Sequence, residues 1–91
     1  MERKAKRIAQ LLKTLANENR LAIFRALMEH PMTASQIAEK VPSLTQPALS
    51  RHLALLKANG ILNRIDPDPN ACYYIADRKT EDVVNVLKQY Y

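Results

Sequence analysis

The sequence is poor in cysteine, glycine and long apolar segments. Its single cysteine, Cys72, cannot form a disulfide within one chain, which fits a reducing compartment. No apolar run approaches the roughly 18 to 20 residues that a membrane span needs. Residues 1–15 also lack the apolar core of a secretory signal. The sequence therefore predicts a cytoplasmic protein without membrane association.

Motifs that carry catalysis are also missing. A single glycine, Gly60, excludes a glycine-rich phosphate loop, and neither His30 nor His52 has a second ligand at metal-binding spacing. A chain of 91 residues has little length with which to enclose a substrate pocket. We therefore expect a protein that is not an enzyme and that uses no metal or other cofactor.

Acidic residues are absent from the middle of the sequence. The whole chain has 14 Lys and Arg against 9 Asp and Glu, a formal net charge of +5. Residues 40–65 contain no Asp or Glu but include Lys40, Arg51, Lys57 and Arg64. This part of the chain can lie against a polyanion such as nucleic acid, although a basic excess also suits an anionic membrane surface or an acidic protein.

The spacing of apolar residues predicts three helices in the first half of the chain. The first spans about residues 4–15 and has one apolar face. The second is capped by Asn17, ends before Pro31 and supplies part of the core. A capping-box pattern then opens a short third helix over residues 33–41.

A fourth helix is marked at both of its ends. Thr45 is a suitable N-cap for a helix over residues 45–59, and Pro47 lies in the first turn, where its missing amide costs little. Gly60 stands where a helix often ends in a left-handed residue. We therefore expect a well-defined helix in this segment.

After the fourth helix the pattern changes to short β-prone runs. Residues 61–65 and 72–75 flank the turn-forming stretch 66–70, which predicts a two-stranded hairpin. Thr80, followed by two acidic residues, is expected to start a last helix over about residues 80–90. The predicted order is helix, helix, short helix, helix, hairpin, helix.

These elements form one predicted domain over residues 1–91, mainly α with a small β-hairpin. The first and last helices carry apolar faces that a small domain has little left to cover, and a symmetric partner would cover them. The alternative is that the two helices pack on each other within a monomer. The candidate dimer-interface residues are Ile8, Leu11, Leu12, Leu15, Val83, Val86, Leu87 and Tyr90.

The third and fourth helices match a DNA-reading helix-turn-helix in length and order. Leu49, Leu53 and Leu56 recur on one face of the fourth helix and are expected to point inward. The side chains that fall away from this stripe are Gln46, Ser50, Arg51 and Lys57. Gln, Ser and Arg can read base edges, whereas Lys57 near the C-terminus suits a phosphate. A polar helix face that is merely solvated remains the alternative.

The sequence also resembles a known family over residues 8–88. The segments LLKTLANENRLAIFRAL, TASQIAEKV, LTQPALSRHLALLKANGIL and CYYI resemble the ArsR winged helix-turn-helix repressors. The resemblance implies a homodimer held by its first and last helices. It also implies that the fourth helix enters the major groove of an inverted-repeat operator in double-stranded DNA, with the hairpin as a wing beside the backbone.

The resemblance extends the set of candidate DNA contacts. It implies that Pro47 faces DNA together with Gln46, Ser50 and Arg51. The start of the third helix, with Thr33, Ser35 and Gln36, corresponds to a phosphate-contacting position in the family. Capping alone is an equal alternative role for Thr33.

The wing departs from the family pattern. Family wings often carry basic residues, whereas this tip holds Asp66 and Asp68, which phosphate would repel. Arg64 is a candidate donor beside the tip, and it can equally be an ordinary exposed strand residue. Whether this wing contacts DNA is left open by the sequence.

The signal that such a regulator senses is not readable from the sequence. Thr33 and Ser35 occupy the place of the cysteine pair that binds metal in some family members, so no metal site is expected. Cys72 is a possible redox switch, but a half-buried strand cysteine with no such role is the simpler interpretation. The inducer stays unknown.

One further class of function competes with DNA binding. A winged helix that has lost DNA binding and serves as a protein-interaction module would accommodate the acidic wing tip. The acid-free stretch over residues 40–65 favours DNA instead.

Overall fold

The computed structural model of the protein describes residues 2–66 and 71–91. The mainly helical fold with a small sheet is confirmed, and residues 67–70 of the predicted turn lie outside the described residues. Within the described part, no helix is long and apolar enough to cross a membrane. The elements are α1 Glu2–Leu15, α2 Glu18–Glu29, β1 Met32–Thr33, α3 Ala34–Lys40, α4 Gln46–Ala58, β2 Leu62–Ile65, β3 Cys72–Ile75 and α5 Arg78–Tyr90.

Helix α2 lies at the centre of the core. It begins after Asn17, whose side chain accepts hydrogen bonds from the amides of Asn19 and Arg20 at 2.9 and 3.2 Å, as the capping prediction requires. Ile23 and Phe24 are both fully buried. The other buried apolar residues around them come from every later element and from the end of α1, namely Leu15, Leu27, Met32, Ile37, Val41, Leu49, Leu53, Leu56, Ile61, Leu62, Ile75 and Val84.

Helix α4 ends as its sequence predicts. Gly60 has a φ of +74°, in the left-handed region that favours glycine. The amide of Gly60 donates to the Lys57 carbonyl at 3.0 Å, and the amide of Ile61 donates to the Leu56 carbonyl at 3.0 Å. These two bonds form a Schellman motif, in which the apolar residues Leu56 and Ile61 are both buried. The chain therefore turns sharply from α4 into the hairpin.

The sheet has one strand that the sequence analysis missed. Strand β3 lies between β1 and β2, and both pairings are antiparallel. In the missed strand β1, Met32 pairs with Tyr73 and Thr33 with Cys72. Because Thr33 is also the N-cap of α3, the start of that helix is fixed directly to the hairpin.

The predicted start of the last helix is wrong. Helix α5 begins at Arg78 after the N-cap Asp77, whose carboxylate accepts from the amides of Lys79 and Thr80 at 3.0 and 3.4 Å. Thr80 is fully buried, so it packs into the core instead of capping the helix. Just before α5, the carbonyl of Ile61 accepts from the amides of Ala76 and Asp77 at 2.9 and 3.4 Å. The exit from α4 and the entry to α5 therefore meet at one carbonyl group.

The apolar face of α1 divides between the core and the surface. Leu15, a candidate dimer residue, is only 7% exposed and belongs to the core of the chain, so its assignment to the dimer interface is corrected. Leu11 is half-buried against the same core. Ile8 and Leu12 remain exposed. In the last turn of α1, Thr14 and Leu15 are buried, so this end of the helix contacts the core.

Candidate nucleic-acid interface

Helix α4 separates an inward apolar face from an outward polar face. Leu49, Leu53 and Leu56 are buried, as predicted from their spacing. The outward side chains that the sequence analysis selected are all exposed, namely Gln46, Pro47, Ser50, Arg51 and Lys57.

The opposite side of α4 from the leucines is partly made of small residues. Pro47, Arg51, Ala54 and Ala58 follow one another at helical spacing, and all four are exposed. The alanines keep this side of the helix narrow, so that Arg51 projects beyond its neighbours. Ala54 and Ala58 were not among the predicted residues of this surface, although their helical spacing from Arg51 is readable in the sequence.

Among residues 2–66 and 71–91, the cations of α4 have no ion-pair partner. In the part of the protein that the structure describes, the ion pairs involve Lys40, Arg64 and Arg78. Arg51 and Lys57 take part in none of these pairs and are exposed. Their charges therefore face solvent, where an anion can approach them.

The start of α3 is a complete capping box. The hydroxyl of Thr33 accepts from the amide of Gln36 at 3.2 Å, and the Gln36 Oε1 accepts from the amide of Thr33 at 2.9 Å. Both side chains are therefore committed to holding the helix start, while the Gln36 amide nitrogen is still available as a donor. Ser35 is exposed beside them.

The hairpin places Arg64 next to the start of α3. Thr33, Ser35, Arg64 and Tyr73 line one shallow depression of about 500 Å³. The fold thus brings Arg64 beside Thr33 and Ser35, which lie in a different part of the sequence. The Gln46 and Arg51 side chains are not among its lining residues, so α4 and this depression are two separate candidate contacts.

Asp66 has a role that the sequence analysis did not foresee. Its carboxylate pairs with Nε of Arg64 at 3.0 Å, and the guanidinium of Arg64 lies 6.0 Å from the ring centroid of Tyr73. Hydrogen bonding to Tyr73 and then to Asp66 raises the pKa of Arg64. Asp66 therefore holds Arg64 in place and neutralises its charge. Any repulsion between Asp66 and phosphate is a separate effect. Asp68 lies outside the described residues.

His52 joins α4 to α2. Its Nδ1 accepts a hydrogen bond from Nε of Arg20 at 3.3 Å, and the ring is half-buried beside the leucine stripe. Burial lowers the pKa of His52 below 6.5, and the positive charges of Arg20 and Arg51 lower it further. His52 is therefore a neutral acceptor near pH 7. Arg20, its donor, was missed by the sequence analysis because the two residues are 32 positions apart.

This lowered pKa predicts a specific loss of stability in acid. The folded protein favours neutral His52, so its contribution to the free energy of unfolding is complete above 6.5 and declines as the pH falls through the lowered pKa. We expect His52→Gln to show a smaller loss of stability than the unmodified protein as the pH falls below 6.5, measured by urea unfolding. His30→Gln is the matched control and should keep the full dependence. Parallel pH profiles for the unmodified protein and His52→Gln would contradict this expectation.

Helices α1 and α5 expose a shared apolar face. Six of the eight candidate dimer residues are exposed, including Ile8 at 56%, Leu87 at 50% and Tyr90 at 78%. Ile8, Leu11 and Val83 line one groove, which places α1 and α5 side by side. The remaining exposed members are Leu12, Val83 and Val86. We call the exposed set Ile8, Leu12, Val83, Val86, Leu87 and Tyr90 the terminal-helix face.

The residues considered for sensing occupy ordinary structural positions in the described part of the chain. Within residues 2–66 and 71–91, no three His, Cys, Asp or Glu side chains lie together in a group that could hold a metal ion. His30 ends α2, and its Nδ1 lies 2.9 Å from the carbonyl oxygen of Pro31. Cys72 is a half-buried thiol in the central strand β3.

Comparisons with known proteins agree with this geometry. A family model described as a helix-turn-helix domain matches residues 15–65, more than half of the chain. The transcriptional activator HlyU of Vibrio cholerae is 29% identical over 91 residues, covering 100% of this chain and 83% of the relative. The biofilm growth-associated repressor of Xylella fastidiosa is 30% identical over 87 residues, covering 96% and 75%.

Solved structures give the same fold. The repressor BigR from Xylella fastidiosa aligns with a TM-score of 0.91 at 28% identity, covering 100% of this chain and 92% of that one. A domain from Mycobacterium bovis, described as a homodimeric winged helix-turn-helix DNA-binding domain of a possible ArsR-family regulator, aligns over 99% of this chain and 85% of its own at a TM-score of 0.84 and 24% identity.

The chain belongs to the ArsR family of winged helix-turn-helix regulators. As an ArsR regulator it is a DNA-binding transcription regulator and not an enzyme. In this fold, α3 and α4 form the helix-turn-helix, whose second helix is termed the recognition helix, and the β2–β3 hairpin is the wing. The resemblance that the sequence analysis drew from its motifs is therefore confirmed.

Proposed function

We propose that this ArsR regulator is a cytoplasmic repressor that binds an inverted-repeat operator as a homodimer. The observation that carries the proposal is the polar surface of α4, where Gln46 and Ser50 are exposed beside the buried leucine stripe and Arg51 is exposed opposite it. No Asp or Glu occurs in residues 40–65, so no carboxylate of this segment opposes a phosphate backbone. The relative named as a repressor supports that direction of control.

Base reading is assigned to the N-terminal half of α4. Arg51 can donate to both O6 and N7 of guanine, and Gln46 can pair with adenine. Ser50 can donate or accept, and Pro47 packs against the groove wall. The second helix of a helix-turn-helix inserts its N-terminal residues into the major groove. These four residues lie in that half of α4.

Phosphate contacts are assigned to residues around this reading surface. Lys57 lies toward the C-terminal end of α4 and is exposed without an ion-pair partner in the described residues. Thr33, Ser35 and Gln36 form or flank the start of α3, beside Arg64. These contacts fix the register of the protein on the duplex and carry no base preference of their own.

Dimerisation is assigned to the terminal-helix face. Its six exposed apolar side chains lie on two neighbouring helices, and a two-fold interface pairs the same patch on both copies. The Mycobacterium bovis domain is described as homodimeric, which supports the same arrangement here.

The proposal is tested by selecting bound duplexes from random DNA. We expect an enriched inverted repeat whose half-sites are about one helical turn, or a multiple of it, apart. Fluorescence anisotropy on the selected and a scrambled duplex then measures specificity at two salt concentrations. Salt-insensitive binding, or no enrichment, would instead support a protein-interaction module.

The wing gives a separate prediction. Asp66→Asn should free Arg64 from its 3.0 Å ion pair and remove one negative charge near the DNA backbone. We expect tighter nonspecific binding at low salt and a salt slope steeper by about one per subunit. Asp82→Asn, an exposed change of equal charge on α5, is the control and should leave the slope unchanged. An identical slope for both variants would mean that the wing stays away from DNA.

A further inference from the structure

Five residues form a series of hydrogen bonds, partly through the backbone carbonyls of Gln10 and Thr14, that joins α4 to the first two helices. Nε2 of Gln10 donates to Oδ1 of Asn59 at 3.1 Å. Nε of Arg20 donates to Nδ1 of His52 at 3.3 Å, and its Nη1 donates to the Thr14 carbonyl at 2.9 Å. The Thr14 hydroxyl donates to the Gln10 carbonyl at 2.8 Å, which closes the series. We call these five residues the polar bridge.

The polar bridge holds the recognition helix at two separate points. His52 lies within α4, and Asn59 is its C-cap. Seven residues of helix place these points about 10 Å apart. Two attachment points define the direction of a rigid helix, whereas one point would let it pivot. A shift of about 1 Å at one point turns the axis by about 6° on this 10 Å lever.

The leucine stripe holds α4 on the core by a different kind of contact. Burial of Leu49, Leu53 and Leu56 stabilises α4 on the core, but apolar contact is non-directional. A hydrogen bond weakens when its length or angle departs from a narrow range. The polar bridge therefore adds an orientation that apolar packing alone does not specify.

The other end of the polar bridge lies on α1, which is one of the two helices that carry the terminal-helix face. Gln10 lies on α1, on the side of the helix away from the exposed residues Ile8 and Leu12. If a second copy packs against those exposed residues, the hydrogen bond from Gln10 to Asn59 connects the partner-facing helix directly to the end of α4. The relative placement of the two recognition helices then depends on this bond.

We propose that Gln10 and Arg20 are positioning residues that set the separation and orientation of the two recognition helices. The dimer thereby accepts one spacing between half-sites and rejects others. Neither residue touches DNA in this account, since both act through Asn59 and His52. The inference rests on the proposed dimeric operator binding and adds the structural basis of its spacing selectivity.

The decisive experiment measures spacing selectivity. Operators whose central spacer is shortened or lengthened by one or two base pairs are compared with the best operator, using Gln10→Ala and Arg20→Met. We expect each variant to reduce the preference for the best spacer about fivefold, the factor that one hydrogen bond typically supplies. Gln10 is exposed, so its truncation to alanine leaves the core intact. Circular dichroism and thermal unfolding establish that each variant is folded.

Matched controls separate positioning from general charge or truncation effects. Lys6→Ala shortens an exposed side chain on α1, and Arg25→Met removes an exposed cation on α2. Neither residue belongs to the polar bridge, so both should keep the full spacing preference. An unchanged preference in both Gln10→Ala and Arg20→Met would overturn the proposal.

A measurement without DNA distinguishes failure of this inference from failure of the proposed function. Nitroxide labels at Ala54→Cys, in a Cys72→Ser background, report the distance between the two recognition helices of a dimer. We expect Gln10→Ala to shift or broaden that distance by about 1–2 Å, the scale of helix displacements at subunit interfaces. Unchanged distances, or a monomer with no interchain distance, overturn the positioning role. Absence of DNA binding with altered distances would refute only the proposed function.

Discussion

Replacing Leu87 with glutamate is expected to give a folded monomer that binds the operator about 100- to 10,000-fold more weakly, the range that linked binding of two modules supplies. Leu87 is half exposed in the chain, so the substitution removes little core packing. In a dimer interface the same carboxylate would be buried without a partner, which is strongly destabilising. Each monomer would then hold only one half-site.

Asn85→Glu is the matched control for this experiment. Asn85 lies on the same helix and lines the groove between α2 and α5, away from the terminal-helix face. It adds the same charge and should preserve both the dimer and its affinity. Light scattering gives the mass, and anisotropy gives the affinity. A dimeric Leu87→Glu with normal binding would place the interface elsewhere on the protein.

Arg51→Ala should weaken operator binding by about 1–3 kcal/mol and relax the preference at one base pair in each half-site. Arg51 is exposed opposite the leucine stripe and has no ion-pair partner among the described residues. Its guanidinium is therefore available to meet a guanine edge. Because a homodimer presents two copies, the loss should appear in both halves of the inverted repeat.

Lys57→Ala is the comparison that separates reading from positioning. It removes the same charge from the same helix, but as a phosphate contact it should weaken all duplexes alike and lower the salt slope by about one per subunit. Binding isotherms on operator and scrambled duplexes decide between the two behaviours. Equal losses on both duplexes for Arg51→Ala would make it a backbone contact and leave base reading to Gln46 and Ser50.

Local features of the fold were predictable because they depend on neighbouring residues. Asn17 and Thr45 cap their helices through amides two or three positions away, and Gly60 supplies the positive φ that ends α4. The buried side of α4 followed equally from the spacing of its leucines. In each case the deciding interaction lies within one helical turn or so.

Features that depend on distant partners were not predictable in the same way. Strand β1 has two residues, too few for a pattern, and exists because Met32 pairs with Tyr73. Thr80 and Asp77 both suit a helix start, and only the burial of Thr80 decides between them. Leu15 continues the apolar face of α1 in sequence but turns into the core in space.

Among the candidate DNA contacts, too, the locally determined features were predictable and those that depend on contacts across the fold were not. The outward residues of α4 were readable from helical spacing, and their exposure agrees with it. The pairing of Arg64 with Asp66 was not expected, because the sequence suggested only repulsion between the acidic tip and phosphate. The bond from Arg20 to His52 links residues on different helices and has no signature in either helix alone.

The carbonyl of Ile61 bears on the order in which the protein folds. The bonds from the amides of Ala76 and Asp77 to the Ile61 carbonyl join the two ends of the hairpin segment, so they form only when that segment closes. We therefore expect α5 to dock only after the hairpin has formed. Since α5 supplies four of the six residues of the terminal-helix face, association of two chains would be a late folding event, and its rate would depend on protein concentration.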